Sequence, residues 1–481
     1  MRYLLPPLLL GLTLLAASCG GGGSGQDATT LPGGDSRAGA SPGDWPMLGH
    51  DLSSTFHNTD ETVLSPDNAA GLSEAWTLTA HVYGVPAVVD GTVYVLSLDG
   101  TFALDAETGD EVWHNASANG TSSITYADGV LYAHDFRAGL HALDAATGEE
   151  LWQAQSSDNQ YAAGFSSPIV AGGLVIVGSS SSEETAAVDN ATFRGSIVAF
   201  DRETGAEVWR HYTVEPPYNG VSMWSTATVD LDAGRVFGTT GNNYTGDASD
   251  TSDSIFALDL ETGALVWNTQ LSEGDVFTIP SPQSDDTDFG TNPLLFEATV
   301  DGTSRRLLGA GQKSGMFWVL DRETGDVVWS KQVSGGSALI GGVFNNGAFD
   351  GEHIILAGNN AASDAPGGEP ASGESEPLGT ATTPTSVLMA PDPATGDIVW
   401  ERQLPAWVWA PITLANGVGF VSAERQFEAF DTKTGEMLFS LQASGTIASG
   451  AAISNGRVFF GSGLSYFNTT EGDTFYALTL P

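Results

Sequence analysis

The sequence predicts an all-β fold, an eight-bladed β-propeller, from three observations. A string of the form ALDAETGDEVW recurs seven times, glycine accounts for 60 of 481 residues, and no long segment has the periodicity of an amphipathic helix. Abundant glycine without helical periodicity favours strands joined by tight turns. A chain of this length can bury the core of one large closed domain.

Each copy of the repeat predicts two strands joined by a tight turn. An apolar strand leads to an Asp that can bond turn amides, and the Gly of the following Thr-Gly pair can adopt the positive φ that closes the turn. The second strand ends in Trp, which is too large for one thin sheet and is expected to pack between neighbouring sheets. Sheets packed radially in this way form a propeller. The copies occupy residues 103–113, 142–152, 199–209, 257–267, 319–329 and, more weakly, 390–400 and 429–439.

The two ends of the chain together predict the eighth blade. Trp76 lies 37 residues before Trp113 and ends a strand that has no repeat strand before it. The last seven residues, FYALTLP (475–481), supply such a strand, with Ala477 and Leu478 matching the Ala-Leu pair of other copies. We therefore expect N- and C-terminal strands to close one blade.

The N-terminal segment is typical of an export signal and not of a membrane span. In residues 1–19 an apolar run follows Arg2, and the string LAASC resembles a bacterial lipobox, which implies cleavage before Cys19 and lipidation of its thiol. Cys19 is the only cysteine, so the chain has no internal disulfide partner for it. Residues 20–44 are predicted to be a flexible tether, and residues 45–481 the propeller. The expected location is the bacterial cell envelope, at the periplasmic face of the outer membrane or the cell surface.

Net charge restricts the partners of the protein. The formal charge is −43, from 59 acidic and 16 basic residues, and only three of the basic residues are lysines. A field of this sign repels nucleic acid and anionic lipid. We expect no nucleic-acid partner and membrane contact only through the lipid anchor.

Long loops are expected in the middle of the chain. The repeat spacing is 39 residues where it is shortest, but 57 to 71 residues between Trp152 and Trp400. The additional residues must form loops, and binding sites are often built from loops on a rigid scaffold. Residues 361–383 are an exception, because their composition predicts a disordered insertion.

The Trp-ended repeat resembles that of the pyrroloquinoline quinone (PQQ) enzymes, and also that of a non-catalytic scaffold lipoprotein of outer-membrane protein assembly. Four further strings separate the two classes. FRGS, TGNNY, DFG and GQKSG occur here in the order found in quinoprotein alcohol dehydrogenases, and most resemble the polyvinyl-alcohol dehydrogenase branch. This resemblance covers roughly residues 45–481.

The resemblance implies a calcium ion held by Glu183, Asn242 and Asp288, with Glu184 as the alternative to Glu183. Calcium prefers carboxylate and amide oxygens, which these residues offer. Asn243 and Tyr244, which follow Asn242, would shape the loop. Taken singly, each ligand has another interpretation, since Asn242 could be a turn residue and the acids could be surface groups.

The resemblance also implies a PQQ site. Trp224 would stack on the flat quinone, Lys313 would bind its oxygens, and Trp409 would lie on its other side. An interblade Trp and a solvated surface Lys are the structural alternatives for Trp224 and Lys313. The scarcity of lysine argues against the second alternative.

The implied function is PQQ- and calcium-dependent oxidation of an alcohol, secondary or polymeric. Asp288, or alternatively Asp286, would accept the hydroxyl proton while calcium and Lys313 polarise the quinone. The sequence contains no CxxCH, so electrons would pass to an external acceptor such as a cytochrome c. Two alternatives stay open: a binding or assembly scaffold, which needs none of these side chains, and a propeller that binds PQQ or sugar without turnover.

Besides the absent CxxCH, two sites depart from the pattern of the family. Adjacent cysteines under the quinone are replaced by GTSSIT at 120–125, and residue 345 is Asn where the most similar branch tends to have an aromatic residue. Lanthanide-using relatives place a second Asp two residues after the catalytic one, and Gly290 occupies that position. Gly290 at that position favours calcium over a lanthanide. In the alternative, Asp286 and Asp288 themselves form the Asp-x-Asp pair of a lanthanide site.

Overall fold

The computed structural model describes residues 39–184, 191–279, 284–336, 341–360, 385–463 and 469–481. These residues form strands, turns and two short 3-10 helices, Ala69–Gly71 and Ser182–Glu184. No helix in the described ranges is long and apolar enough to cross a membrane. The predicted export signal, Cys19, most of the predicted tether and the predicted insertion at 361–383 lie outside the described residues.

The strands form eight antiparallel sheets, which confirms the predicted eight-bladed β-propeller. We number the blades 1 to 8 and give the strands of each from the centre outward. Blade 1 contains Ala452–Ser454, Arg457–Ser462, Thr474–Thr479 and Ser73–Thr79. Blade 2 contains Ala87–Val89, Thr92–Ser97, Gly100–Asp105 and Glu111–Asn115. Blade 3 contains Thr125–Ala127, Val130–His134, Gly139–Asp144 and Glu150–Gln155. Blade 4 contains Ile169–Ala171, Leu174–Ser181, Ser196–Asp201 and Glu207–Tyr212, with Ala162–Ala163 added beside the second strand.

The remaining blades follow the same meander. Blade 5 contains Thr228–Asp230, Arg235–Thr239, Ser254–Asp259 and Leu265–Gln270. Blade 6 contains Leu294–Val300, Thr303–Gly311, Met316–Asp321 and Val327–Gln332. Blade 7 contains Ala348–Phe349, Ile354–Asn360, Thr385–Pro391 and Ile398–Leu404. Blade 8 contains Thr413–Ala415, Val418–Ala423, Gln426–Asp431 and Met437–Gln442, with the short strand His57–Asn58 parallel to its first strand.

Blade 1 joins the two ends of the chain, as predicted. Strand Thr474–Thr479 pairs on one side with Arg457–Ser462 and on the other with Ser73–Thr79, and Trp76 lies opposite Ala477. The first strand of blade 1 contacts that of blade 2, which closes the ring. Blade 1 therefore completes the propeller through hydrogen bonds between strands that are remote in sequence.

In seven of the eight blades a tryptophan packs against the turn of the following blade, and Phe439 occupies the corresponding position in blade 8. In blade 2, Trp113 donates from Nε1 to the carbonyl of Ala145 at 3.0 Å and covers Gly148, whose φ is +73°. A Cβ at Gly148 would lie 2.5 Å from the Trp113 ring, so the turn needs glycine for its conformation and for the approach of this ring. The predicted packing of Trp between sheets is confirmed. The same bond is made by Trp76, Trp152, Trp209, Trp267, Trp329 and Trp400.

The antiparallel meander places two sets of loops on one rim. In a blade, the second and fourth strands end at the same edge of the sheet. The loop between the second and third strands therefore emerges beside the loop that leads to the next blade, while the Thr-Gly turns lie on the opposite rim. Residues that are far apart in sequence can meet on the first rim, and the long loops between Trp152 and Trp400 emerge there.

Candidate active site

The candidate site lies on this rim, where loops of blades 4, 5 and 6 converge. Three of the contributing segments connect second and third strands, and two lead into blades 5 and 6. Their boundaries follow from the strands: 182–195, 240–253, 312–315, 213–227 and 271–293.

Lys313 lies at the centre of the convergence. Its Nζ is 2.9 Å from Oδ2 of Asp288, 3.0 Å from Oδ1 of Asp286 and 5.4 Å from the centroid of the Trp224 ring. Burial alone would lower the pKa of Lys313, but Asp286, Asp288 and Glu184 together outweigh burial and raise this pKa well above its usual range. Lys313 is therefore a buried cation and not a solvated surface lysine.

Asp288 is fixed by nitrogen donors on both carboxylate oxygens. Its Oδ1 accepts from the backbone N–H of Asn242 at 2.7 Å, and its Oδ2 accepts from Lys313 at 2.9 Å. A Cβ at Gly241 would lie 2.6 Å from Oδ1. The glycine of TGNNY thus lets the carboxylate approach the backbone. Two of the sequence strings, TGNNY and DFG, meet at this contact.

The adjacent glutamates of blade 4 have different surroundings. Oε2 of Glu183 accepts from the backbone N–H groups of Thr192 and Phe193 at 2.9 and 3.0 Å, and its Oε1 accepts from Asn159 at 3.1 Å. Glu183 therefore holds the end of its own loop. These bonds occupy both of its carboxylate oxygens.

Glu184 is directed toward the site. Burial raises the pKa of Glu184 well above its usual range, Asp288 raises it further, and Lys313 opposes both. The residue nevertheless keeps part of its surface accessible. Because both oxygens of Glu183 already accept hydrogen bonds, Glu184 is the better candidate of the two glutamates for binding a cation.

The side chains of Asn242 and Asn243, both in TGNNY, make different hydrogen bonds and have different roles. The side-chain nitrogen of Asn242 donates to the carbonyl of Phe277, which leaves Oδ1 as the atom that could bind a cation. Asn243 donates to the carbonyl of Asn219 at 2.8 Å and accepts from the backbone of Ser249 at 2.7 Å. Asn243 thus ties two loops together, as a residue that shapes the loop must.

An aromatic wall runs from the site toward blade 8. A Cβ at Gly290 would clash with Trp224 and lie 3.0 Å from Cβ of Phe344, and the Phe344 ring meets Trp409 edge-to-face at 5.7 Å. All three aromatic residues are half-buried. Asn345, at the position where the most similar branch tends to have an aromatic residue, is buried and donates to the carbonyl of Val408. Among the described residues, Trp409 has a ring contact with Phe344 and none with Trp224.

Two carboxylates of the site were missed by sequence reasoning. Asp253 is fully buried, and Asp275 is 2% exposed. One carboxylate oxygen of each lies within 4.8 Å of the other and of an oxygen of Asp288. Neither residue belongs to a motif string. Because the chain has 59 acidic residues, nothing in the sequence distinguishes these two from the others.

Both carboxyls are strongly influenced by burial. Burial raises the pKa of Asp253 well above its usual range, and Asp275 and Asp288 raise it further. Burial followed by Asp288 and Asp286 raises the pKa of Asp275 to about 7. Burial and the neighbouring carboxylates thus oppose ionisation of both carboxyls.

Comparison with known proteins identifies the family. A model described as "Glucose/ethanol/alcohol dehydrogenase, beta-propeller domain" matches residues 153–333. A model described as "Outer membrane protein assembly factor BamB" matches residues 59–192 and 319–478. Polyvinylalcohol dehydrogenases from Sphingopyxis sp. (strain 113P3) and Pseudomonas sp. are 28% and 30% identical over 77% and 79% of this chain.

The chain belongs to the quinoprotein alcohol dehydrogenase-like β-propeller family. The matches span 57% and 66% of the two polyvinylalcohol dehydrogenases. The quinohemoprotein alcohol dehydrogenase from Comamonas testosteroni shares the fold, with a TM-score of 0.74, 21% identity and coverage of 95% of this chain and 84% of that one.

The site of this quinoprotein-like propeller fits both groups that the family implies. Lys313 offers a buried cation beside the half-buried ring of Trp224, which suits a flat molecule with anionic oxygens. Glu184, Asn242 and Asp288 offer the hard oxygen atoms that calcium prefers.

Proposed function

We propose that this protein oxidises an alcohol with PQQ and a divalent cation, and that its electrons pass to an external acceptor such as a cytochrome c. The observation that carries the proposal is the position of Lys313, buried within 2.9 Å of Asp288 and 5.4 Å from the Trp224 ring. A binding cation, a candidate base and a flat aromatic face thus lie together. The polyvinylalcohol dehydrogenases support an alcohol as substrate.

Each residue of the site has a separate role in the proposed oxidation. PQQ, when bound, supplies the acceptor for the hydride of the alcohol. Trp224 presents its ring to the flat cofactor, and Lys313 donates charge-assisted hydrogen bonds to cofactor oxygens. Asp288 accepts the hydroxyl proton of the alcohol, and the backbone N–H of Asn242 and the ammonium group of Lys313 hold its carboxylate in place. Asp286 lies on the other side of Lys313 and balances its charge.

The scaffold alternative has less support in this chain. The assembly-factor model does not cover Trp224, Asn242, Asp288 or Lys313, whereas the alcohol dehydrogenase model covers all four. A surface that only binds other proteins has no use for a lysine that is 6% exposed and held by two aspartates. The expanded blades therefore favour an enzyme.

The experiment that tests the function is reconstitution of the purified protein with PQQ. Binding is followed by PQQ absorbance, and turnover by dye reduction with primary, secondary and polymeric alcohols. We expect PQQ-dependent reduction of the dye with at least one alcohol class. PQQ binding without turnover on any alcohol would instead support a non-catalytic propeller, and no binding would support the scaffold.

Calcium is expected to activate the reconstituted enzyme better than lanthanum. An aspartate at position 290 would be needed as the additional ligand of a lanthanide site, and Trp224 and Phe344 leave no room for its Cβ. Asp286 is held by Lys313 at 3.0 Å. The check is turnover of metal-free protein titrated with each ion. Higher activity with lanthanum would show that Asp286 and Asp288 form the lanthanide pair instead.

We propose that the protein is anchored to the bacterial cell envelope through Cys19. The string LAASC and the small polar segment that follows it support this location. Cys19→Ser is expected to move the protein from the membrane fraction to the soluble fraction while its melting temperature is unchanged. Fractionation of cells that express each form is the measurement. A wild-type protein that is soluble after export would contradict the anchor.

A further inference from the structure

We propose that Asp253, Asp275 and Asp288 form a second divalent-cation site, distinct from the position that Glu184 and Asn242 would hold. The proposal concerns the protein without PQQ and does not depend on the oxidation of an alcohol. It assigns a function to Asp253 and Asp275, which take no part in the chemistry described above.

The spacing of the three carboxylates suits a metal ion. One oxygen of each lies within 4.8 Å of one oxygen of both others. Calcium binds oxygen at about 2.3 to 2.6 Å, so ligands on opposite sides of the ion are separated by up to roughly 5 Å. Glu184 is not a member of this group, so one ion in the present geometry cannot contact all four carboxylates.

Asp253 is the observation that points to a ligand. It is 0% exposed, and neither of its carboxylate oxygens accepts a hydrogen bond of good geometry from the described residues, although the hydroxyl of the adjacent Ser252 lies close enough to oppose, in small part, the rise in pKa that burial causes. The hydroxyl of its neighbour Ser252 donates to the carbonyl of Ser249 at 3.2 Å. A buried carboxylate without donors is costly, and it is relieved either by a proton or by a bound cation.

Asp275 can join the site by a small change of its donors. Its oxygens accept from the backbone N–H groups of Phe277 and Thr287, and from the hydroxyls of Ser284 and Thr287. The two backbone bonds hold the carboxylate in place. The two hydroxyls can rotate, which frees lone pairs for a metal ion.

Local charge also favours a second ion. Lys313 is the single cation beside these carboxylates in the described part of the site, and it contacts Asp286 and Asp288 only. Asp253 and Asp275 each place a carboxylate oxygen within 4.8 Å of one of Asp288 and of each other. A divalent ion between Asp253, Asp275 and Asp288 would supply the positive charge that Lys313 does not bring to Asp253 and Asp275.

Calcium titration of the PQQ-free, chelator-treated protein tests the proposal. Isothermal calorimetry and metal analysis are expected to give two ions per chain for the wild type. Asp253→Asn keeps the shape of the side chain and removes its charge, and is expected to lose one ion. It should also show a smaller rise of the melting temperature with calcium than the wild type. Asp250→Asn, at an exposed residue of the same loop, is the matched control and should retain both ions.

Glu184→Gln separates this proposal from the proposed function. We expect Glu184→Gln to lose one ion and Asp253→Asn to lose the other. A wild type whose calcium binding is unchanged by Asp253→Asn would overturn the second site, whatever Glu184→Gln does. Loss of the only ion in Asp253→Asn, with no effect of Glu184→Gln, would support a site at Asp253 and contradict the metal position assumed for the oxidation. Both variants are compared as folded proteins by circular dichroism.

Discussion

Asp288→Asn is expected to lower the rate of alcohol oxidation by about 10²- to 10⁴-fold while PQQ binding survives, because loss of a general base costs roughly that factor. Asparagine keeps the size of the side chain and one oxygen atom. It can still accept from the backbone N–H of Asn242, which is 2.7 Å from Oδ1 of the aspartate. The measurements are the turnover number of the reconstituted enzyme and a PQQ titration.

Lys313→Ala provides the contrast. It removes a charge-assisted contact to the cofactor and leaves Asp286 and Asp288 buried without their cation. We therefore expect PQQ binding and turnover to fall together, whereas Asp288→Asn separates them. Lys433→Ala, at an exposed lysine of blade 8, is the control for loss of positive charge.

Asp286→Asn decides what an active Asp288→Asn enzyme would mean. If the Asp288 variant oxidises alcohols at the parent rate and the Asp286 variant does not, Asp286 is the base. If both retain the parent rate, the oxidation does not use this carboxylate pair. In either case the assignment of Asp288 as the base would be wrong.

The fold was predictable because the same short sequence marks the contact between neighbouring blades. In seven of the eight blades, one contact requires both the tryptophan of the blade and the turn glycine of the next, as Trp113 and Gly148 illustrate. The closure of blade 1 was also predictable. Trp76 lies on a strand that lacks the repeat strand before it, and the strand with Ala477 lacks the tryptophan strand after it, so the two complete one repeat.

The site residues were predictable only where the residues of a motif contact one another in the structure. TGNNY and DFG meet because Gly241 lets Asp288 approach the backbone, so the two strings constrain each other. Glu183 and Glu184 are adjacent in one 3-10 turn, and nothing in their order says which of them faces the rim. Asp253 reaches the site through the packing of a long loop, which leaves no periodic signal in a chain rich in aspartate.

The second large effect is expected from removal of residues 475–481, which should abolish cooperative folding of the propeller. The strand Thr474–Thr479 is the third of blade 1, with partners on both sides. Its Phe475, Ala477 and Leu478 are fully buried. Loss of a large buried side chain costs about 2 to 5 kcal/mol, and a domain is stable by only about 5 to 15 kcal/mol.

Graded variants keep this prediction measurable if the truncated protein aggregates. Leu478→Ala removes one fully buried side chain and should lower the free energy of unfolding by about 2 to 5 kcal/mol, measured by denaturant titration. Removal of Pro481 alone, an exposed residue beyond the strand, should leave the melting temperature close to that of the parent. The larger truncation exposes the edges of Ser73–Thr79 and Arg457–Ser462, so it should also form aggregates. A 475–481 deletion that melts cooperatively at the parent temperature would contradict the closure of blade 1, since no other described strand pairs with both of its neighbours.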